Sequence, residues 1–223
     1  MNRFLLLLLL LGATPALCLP PDVRPNHWAA AYVQQALENH LLSLESDGRF
    51  HGEQKVTRID VAIALARLAK ALQDNTWHAA PSKPVPESVV QTLKERRWQN
   101  RPVTRYILAS VLCRIGNYVA NGITRAPANA KDTAKSEALP TNVSIAVPPT
   151  NPAYASLRYL VQHREIGPDS PLLQADRTPI TAAQLGVAVA QMVTGLNDQL
   201  TSLGHDAQGN TPDASFHKPK GGH

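Results

Sequence analysis

Cysteine is almost missing from this chain: Cys18 and Cys113 are the whole supply in 223 residues. A disulfide framework is therefore excluded as the source of stability. Long apolar runs are missing too. After residue 16 no stretch approaches the roughly 18 consecutive apolar residues that a membrane-spanning helix needs. Charge of one sign is not drawn into a stripe. The formal net charge is +5, but the Lys and Arg are scattered rather than striped, which argues against nucleic acid as a partner. Such a mildly basic surface suits an anionic polymer or membrane face. The chain also lacks a Gly-rich phosphate loop, a nucleophile elbow and a His-x-x-x-His helix, so it offers no constellation for catalysis and implies no cofactor. His205, His217 and His223 are spaced too widely, in a Gly- and Pro-rich segment, to make a preorganised metal site. Asn142 opens an Asn-Val-Ser triplet, a glycosylation pattern that is common by chance.

What is present begins with an export pattern. Arg3, an unbroken apolar run from Phe4 to Leu11, and small residues to Ala16 read as a signal segment over 1–16. Cys18 would fit a lipidation site, but Leu17 occupies a position that normally takes a small residue. The mature chain should be soluble or peripherally held.

The main feature is repetition, and repeats decide architecture. "KVTRIDVAIALARLAKAL" from Lys55 is echoed by "PVTRYILASVLCRIGNYV" and again by "PITAAQLGVAVAQMVTGL". Aligning Val56, Val103 and Ile180 pairs Val61 with Leu108 and Leu185, Leu65 with Leu112 and Val189, and Leu68 with Ile115 and Met192. Ala66, Cys113 and Ala190 form a matching row of small residues, so Cys113 reads as a core position. These spacings describe one apolar stripe on a helix. Thr57, Thr104 and Thr181 are placed as N-caps, with Asp60 and Gln184 completing capping boxes in the first and third copies. A shorter helical segment precedes each copy: His27 to Leu42, Glu87 to Trp98, and Pro152 to Ile166. The expected fold is all-α, with three helix-loop-helix modules at 20–75, 85–120 and 151–203 packed as a pseudo-threefold bundle. Residues 121–150 read as a linker or insertion, and 204–223 as a disordered tail.

The first module resembles an S-layer homology domain. The resemblance rests on Asp22 and Val23, on His27, Trp28 and Ala29, on Asp47, Gly48 and Phe50 in the loop, and on Val56, Thr57 and Arg58 at the second helix. Ile59 and Asp60 depart from the family's Ala-Glu. The second module keeps Val103, Thr104 and Arg105 but lacks the loop and the His-Trp start. The third has Tyr154 and Ala155 aligned with Trp-Ala, and Ala182 in place of the arginine.

The resemblance implies an exported, noncovalent cell-wall anchor in the cell envelope, binding an anionic glycopolymer, often pyruvylated in the family, or a peptidoglycan-associated polymer. It implies ligand contacts at Arg58, Thr57, Trp28, Asp22 and Arg105. A helix N-terminus and an arginine fork suit a sugar carboxylate. Asp22 could accept sugar hydroxyls, and Trp28 is expected to pack in the core with one edge available. Asp47 and Gly48 are expected to form a tight turn. The alternative is an envelope structural or adaptor protein whose modules bind another envelope protein.

Overall fold

The computed structural model describes residues 19–75, 87–124, 139–140 and 142–208. The expected signal segment, Cys18, and the tail from residue 209 lie outside the described residues. The helices are α1 (Ala30–Glu38), α2 (Arg58–Asn75), α3 (Glu87–Lys94), α4 (Arg96–Gln99), α5 (Arg105–Thr124), α6 (Tyr154–Gln162) and α7 (Ala182–Gln208), with a 3-10 turn at Pro171–Leu173. Among the described residues there are no strands, only three isolated bridges. The fold is all-α, as the apolar periodicity predicts.

The long helices α2, α5 and α7 start where the threonines place them. The Thr57 amide and hydroxyl both donate to Asp60 Oδ2, at 2.8 and 2.6 Å. Thr181 and Gln184 exchange reciprocal bonds, while Thr104 accepts from the Ile107 amide unaided. Each cap supplies a partner to a helix end that would otherwise leave its donors unpaired. Leu108, Leu112, Leu185, Val189, Leu68 and Met192 of the shared stripe are buried.

The residues just before these helices meet in a closed cycle. Val56 donates its amide to the Ile180 carbonyl, Ile180 to Val103, and Val103 to Val56, at 2.9, 2.8 and 3.0 Å. All three side chains are buried, so the cycle sits inside the apolar core and ties together segments far apart in sequence. Beyond the cycle, α5 packs on α6 and α7 on both α1 and α2; α3 packs on α4.

The first and third units repeat their backbone bonds at a constant offset. Asn39, His40, Leu41 and Leu42 donate to Gln35, Leu37 and twice to Ala36. His163, Arg164, Glu165 and Ile166 donate in the same order to Tyr159, Val161 and twice to Leu160. His40 and Arg164 both take the left-handed conformation, with φ of 54° and 57°, which ends the short helices early and turns the chain. This register pairs Ala29 with Ala153, and hence Trp28 with Pro152, two residues away from the Tyr154 expected from sequence. It also pairs Val23 with Val147, both buried. Ala146 donates to the Leu173 carbonyl, so the end of the stretch read as linker is packed against the third unit. Similarly α7 runs on to Gln208, past the residue 204 at which a tail was expected.

Trp28 is not a core residue. It is 55% exposed, because Ala29, Ala30, Val33 and Ala36 take the buried face of α1 and its entry. The expected loop turn is present: Gly48 has φ of 75°, and the Asp47 carboxylate accepts the Arg49 amide.

Candidate functional site

The first residue of each long helix faces the loop of the following unit, and the three positions have three fates. Arg58 is half-buried, and its guanidinium carbon lies 5.4 Å from the centroid of the Trp98 ring. That is cation–π range, with a contribution on the order of 0.5–1 kcal/mol at a partly solvated site. The Arg58 amide donates to the Arg101 carbonyl at 3.0 Å, fixing α2 against the segment that carries the ring. Trp98 is placed by α4, whose short turn begins after Glu95 and is closed by the Trp98 amide on the Glu95 carbonyl. Arg96, Arg97 and Arg101 on the same segment are exposed. A guanidinium held over an indole ring spends none of its N–H donors on the contact, so they stay available to a ligand. The seam can therefore offer a forked donor and an apolar ring to one ligand.

Thr57 contributes differently from the expectation. Its hydroxyl donates to Asp60 rather than accepting a helix amide, and the Asp60 carboxylate, which accepts both the hydroxyl and the Thr57 amide, complements the positive end of α2. The positive group that this helix start adds to the seam is the side chain of Arg58 rather than the helix terminus.

Arg105 is only 4% exposed and forms an ion pair with Asp176. Its Nη1 also reaches the Thr178 hydroxyl at 3.5 Å. The Asp176 carboxyl is held down at about 2, first by the Thr178 amide and then by Arg105 and the Thr178 hydroxyl. This arginine is enclosed between two units, with its charge already matched. The third position, Ala182, carries no charge, and its amide donates to the Gln54 carbonyl at 2.9 Å.

Asp22 and His27 lie elsewhere. With Arg24, His51, Glu53 and Ala183 they help line a cavity of about 710 Å³ between the first loop and α7; Arg58 and Trp98 are not in its wall. The Asp22 carboxylate accepts the amides of Phe50 and His51 at 3.0 and 2.7 Å. Burial works against its charge, but those amides outweigh it and hold the carboxyl below its ordinary value. Asp22 thus pins the chain before α1 to the first loop. Trp28 stands beside His27, with ring centroids 5.6 Å apart.

Of the expected contacts, the structure separates Asp22 from Arg58 and adds a partner that the sequence alignment overlooked. The sequence pattern puts Trp98 at the end of one helical segment starting at Glu87, but the helix breaks at Glu95. The available signal was its place five residues before Val103, matching His51 before Val56.

With this geometry in view, comparison with known families gives two matches. The S-layer homology domain matches residues 21–62, from the segment before α1 into the first turns of α2. Domains of that family are binding and anchoring modules that generally hold proteins noncovalently to the cell wall. The U3 small nucleolar RNA-associated protein 20 domain matches residues 49–124, from the first loop through α5. No curated protein and no solved structure matches the chain. Among the described residues, no helix is long and apolar enough to cross a membrane.

Proposed function

We propose that this chain is an exported noncovalent anchor that binds an anionic cell-wall glycopolymer or peptidoglycan-associated polymer at the seam between α2 and α4. The observation that carries this reading is the Arg58 guanidinium lying over Trp98. Arg58 pairs with a carboxylate on the polymer, such as a pyruvyl ketal, through two parallel charge-assisted bonds. The Trp98 ring holds the guanidinium in place and presents an apolar surface to a sugar ring. Asp22 and Trp28 serve a second, weaker contact beside the cavity next to α7. Arg105 holds the second unit to the third. The three units surround the cycle of Val56, Val103 and Ile180 in pseudo-threefold order, and the match over residues 21–62 supports the first unit as the binding one.

Sedimentation of the purified protein with cell-wall sacculi tests this. Arg58→Ala should lose at least about tenfold in retention while keeping its helical circular dichroism, because truncating one partner of a charge-assisted pair costs more than a kcal/mol. Polymer stripped of its acidic groups should compete poorly. Retention by Arg58→Ala equal to that of the unmodified protein would overturn the assignment. Displacement by single-stranded RNA but not by wall polymer would transfer the seam to the other matched class.

A further inference from the structure

Glu165 occupies a place that the repeat gives to a leucine. It is the counterpart of Leu41: each follows a left-handed residue and donates its amide at 2.8 Å to a carbonyl five residues back, Ala36 for Leu41 and Leu160 for Glu165. Leu41 is 0% exposed and belongs to the core; Glu165 is equally 0% exposed. Among the described residues neither of its carboxyl oxygens has a partner at hydrogen-bond geometry, the Gln199 amide being the polar group next to it.

Room for this carboxyl comes from two glycines. A side chain at Gly116 of α5 would collide with the carboxyl group, and one at Gly195 of α7 would collide with the Arg164 carbonyl and the Glu165 backbone. The turn after α6 is thereby wedged between α5 and α7. From α5 the Cys113 thiol faces Glu165, and the adjacent Arg114 is exposed. From α6 comes the Tyr159 hydroxyl, with half-buried Arg158 one residue earlier and the His163 ring 4.1 Å from that of Tyr159. From α7 comes the amide of Gln199, which donates to the His163 carbonyl at 2.6 Å; Asp198 on the same turn is exposed.

We propose that Glu165 is a proton-dependent latch: its neutral form seats the turn after α6 between α5 and α7, and loss of its proton loosens that seam. A carboxylic acid can be enclosed here at the cost of unmade hydrogen bonds, whereas a carboxylate without a partner cannot be enclosed so cheaply. Burial accordingly lifts the Glu165 carboxyl to about 8, with Gln199 easing the shift. Burial also raises Tyr159 and Cys113, and the charge of Glu165 raises both further, so Glu165 ionises before either as pH climbs.

The direction follows from linkage. An unfolded glutamate gives up its proton near 4.5 and the folded one near 8. Stability is therefore fully present below about 4.5, declines as pH rises, and levels off above about 8. Thermal unfolding of the full chain between pH 5.5 and 8.5 tests this, using the unmodified protein, Glu165→Gln and Glu165→Leu. The unmodified midpoint should fall by about 5 °C or more across that range. Both variants should lose this slope, and Glu165→Leu, which restores the residue of the first unit, should unfold at a higher temperature than the unmodified protein at pH 8.5. A slope that persists in both variants, or a Glu165→Leu midpoint below the unmodified one at pH 8.5, would overturn the latch.

Discussion

Arg58 and Arg105 open two copies of one helix start, both preceded by Val-Thr, yet one is offered to solvent and the other is enclosed. The difference does not lie in the helices that carry them. It lies in the next unit's loop: Arg58 meets the Trp98 ring, and Arg105 meets the Asp176 carboxylate. An aromatic ring holds a guanidinium without using its donors, so Arg58 keeps the capacity to bind an anion. A carboxylate in the same relative place neutralises the charge and binds the donors, so Arg105 becomes a joint between units.

The largest effect that would break this comparison is on stability. Arg105→Ala should cost on the order of 3 kcal/mol, since it opens a buried site and strips Asp176 of its partner. Arg58→Ala, at a half-buried site without an ion pair among the described residues, should stay within about 1 kcal/mol. Urea titration followed by circular dichroism measures both. The Asp176 pairing also has a pH signature. A depressed carboxyl contributes stability above its unfolded value near 3.8 and loses it as pH falls toward about 2. Acid sensitivity in that window should be weaker in Asp176→Asn than in the unmodified protein. Equal urea midpoints for the two arginine variants would erase the distinction between them.

The features legible in the sequence were those fixed locally. All three helices start at the threonines because capping involves residues three apart, although the acceptor is the hydroxyl at Thr104 and Thr181 and the Asp60 carboxylate at Thr57, and the apolar stripe is readable because helix geometry is periodic. The fate of each arginine was not readable in this way. It depends on a residue four or five positions before the next unit's start, and only the cycle of Val56, Val103 and Ile180 brings those residues together. The exposure of Trp28 is not legible either, because an entry residue next to a run of alanines can lie on either side of the buried face. Glu165 is not legible in the sequence because the aligned residues place the first helix of the third unit two residues out of register, and only the repeated hydrogen bonds set it opposite Leu41.

A smaller effect sharpens the comparison from the binding side. Trp98→Ala should reduce retention on wall polymer by about fivefold with little loss of helix, because a ring contact of this kind is worth up to about 1 kcal/mol. Trp28→Ala, whose ring stands beside His27 rather than Arg58, should change retention less than threefold. Sedimentation isotherms on the same sacculi separate the two. Matching losses would mean that the polymer spans both places and that the arginine over the Trp98 ring has no privileged role.

The smallest expected effect comes from the third helix start. Ala182 is half-buried, and its amide is already tied to the Gln54 carbonyl, so its backbone copies that of Arg58 on Arg101. Ala182→Arg therefore adds a guanidinium to an existing geometry without changing the cap made by Thr181 and Gln184. The facing loop has His51 in the place that Trp98 holds for Arg58, together with Glu53 and Gln54 and no indole. The new arginine should consequently be held less firmly and raise retention only about twofold, near 0.4 kcal/mol. Replacing His51 by Trp in the same chain should increase that gain. If a lone arginine at residue 182 matched the contribution of Arg58, the ring would be unnecessary and helix-start charge alone would account for binding.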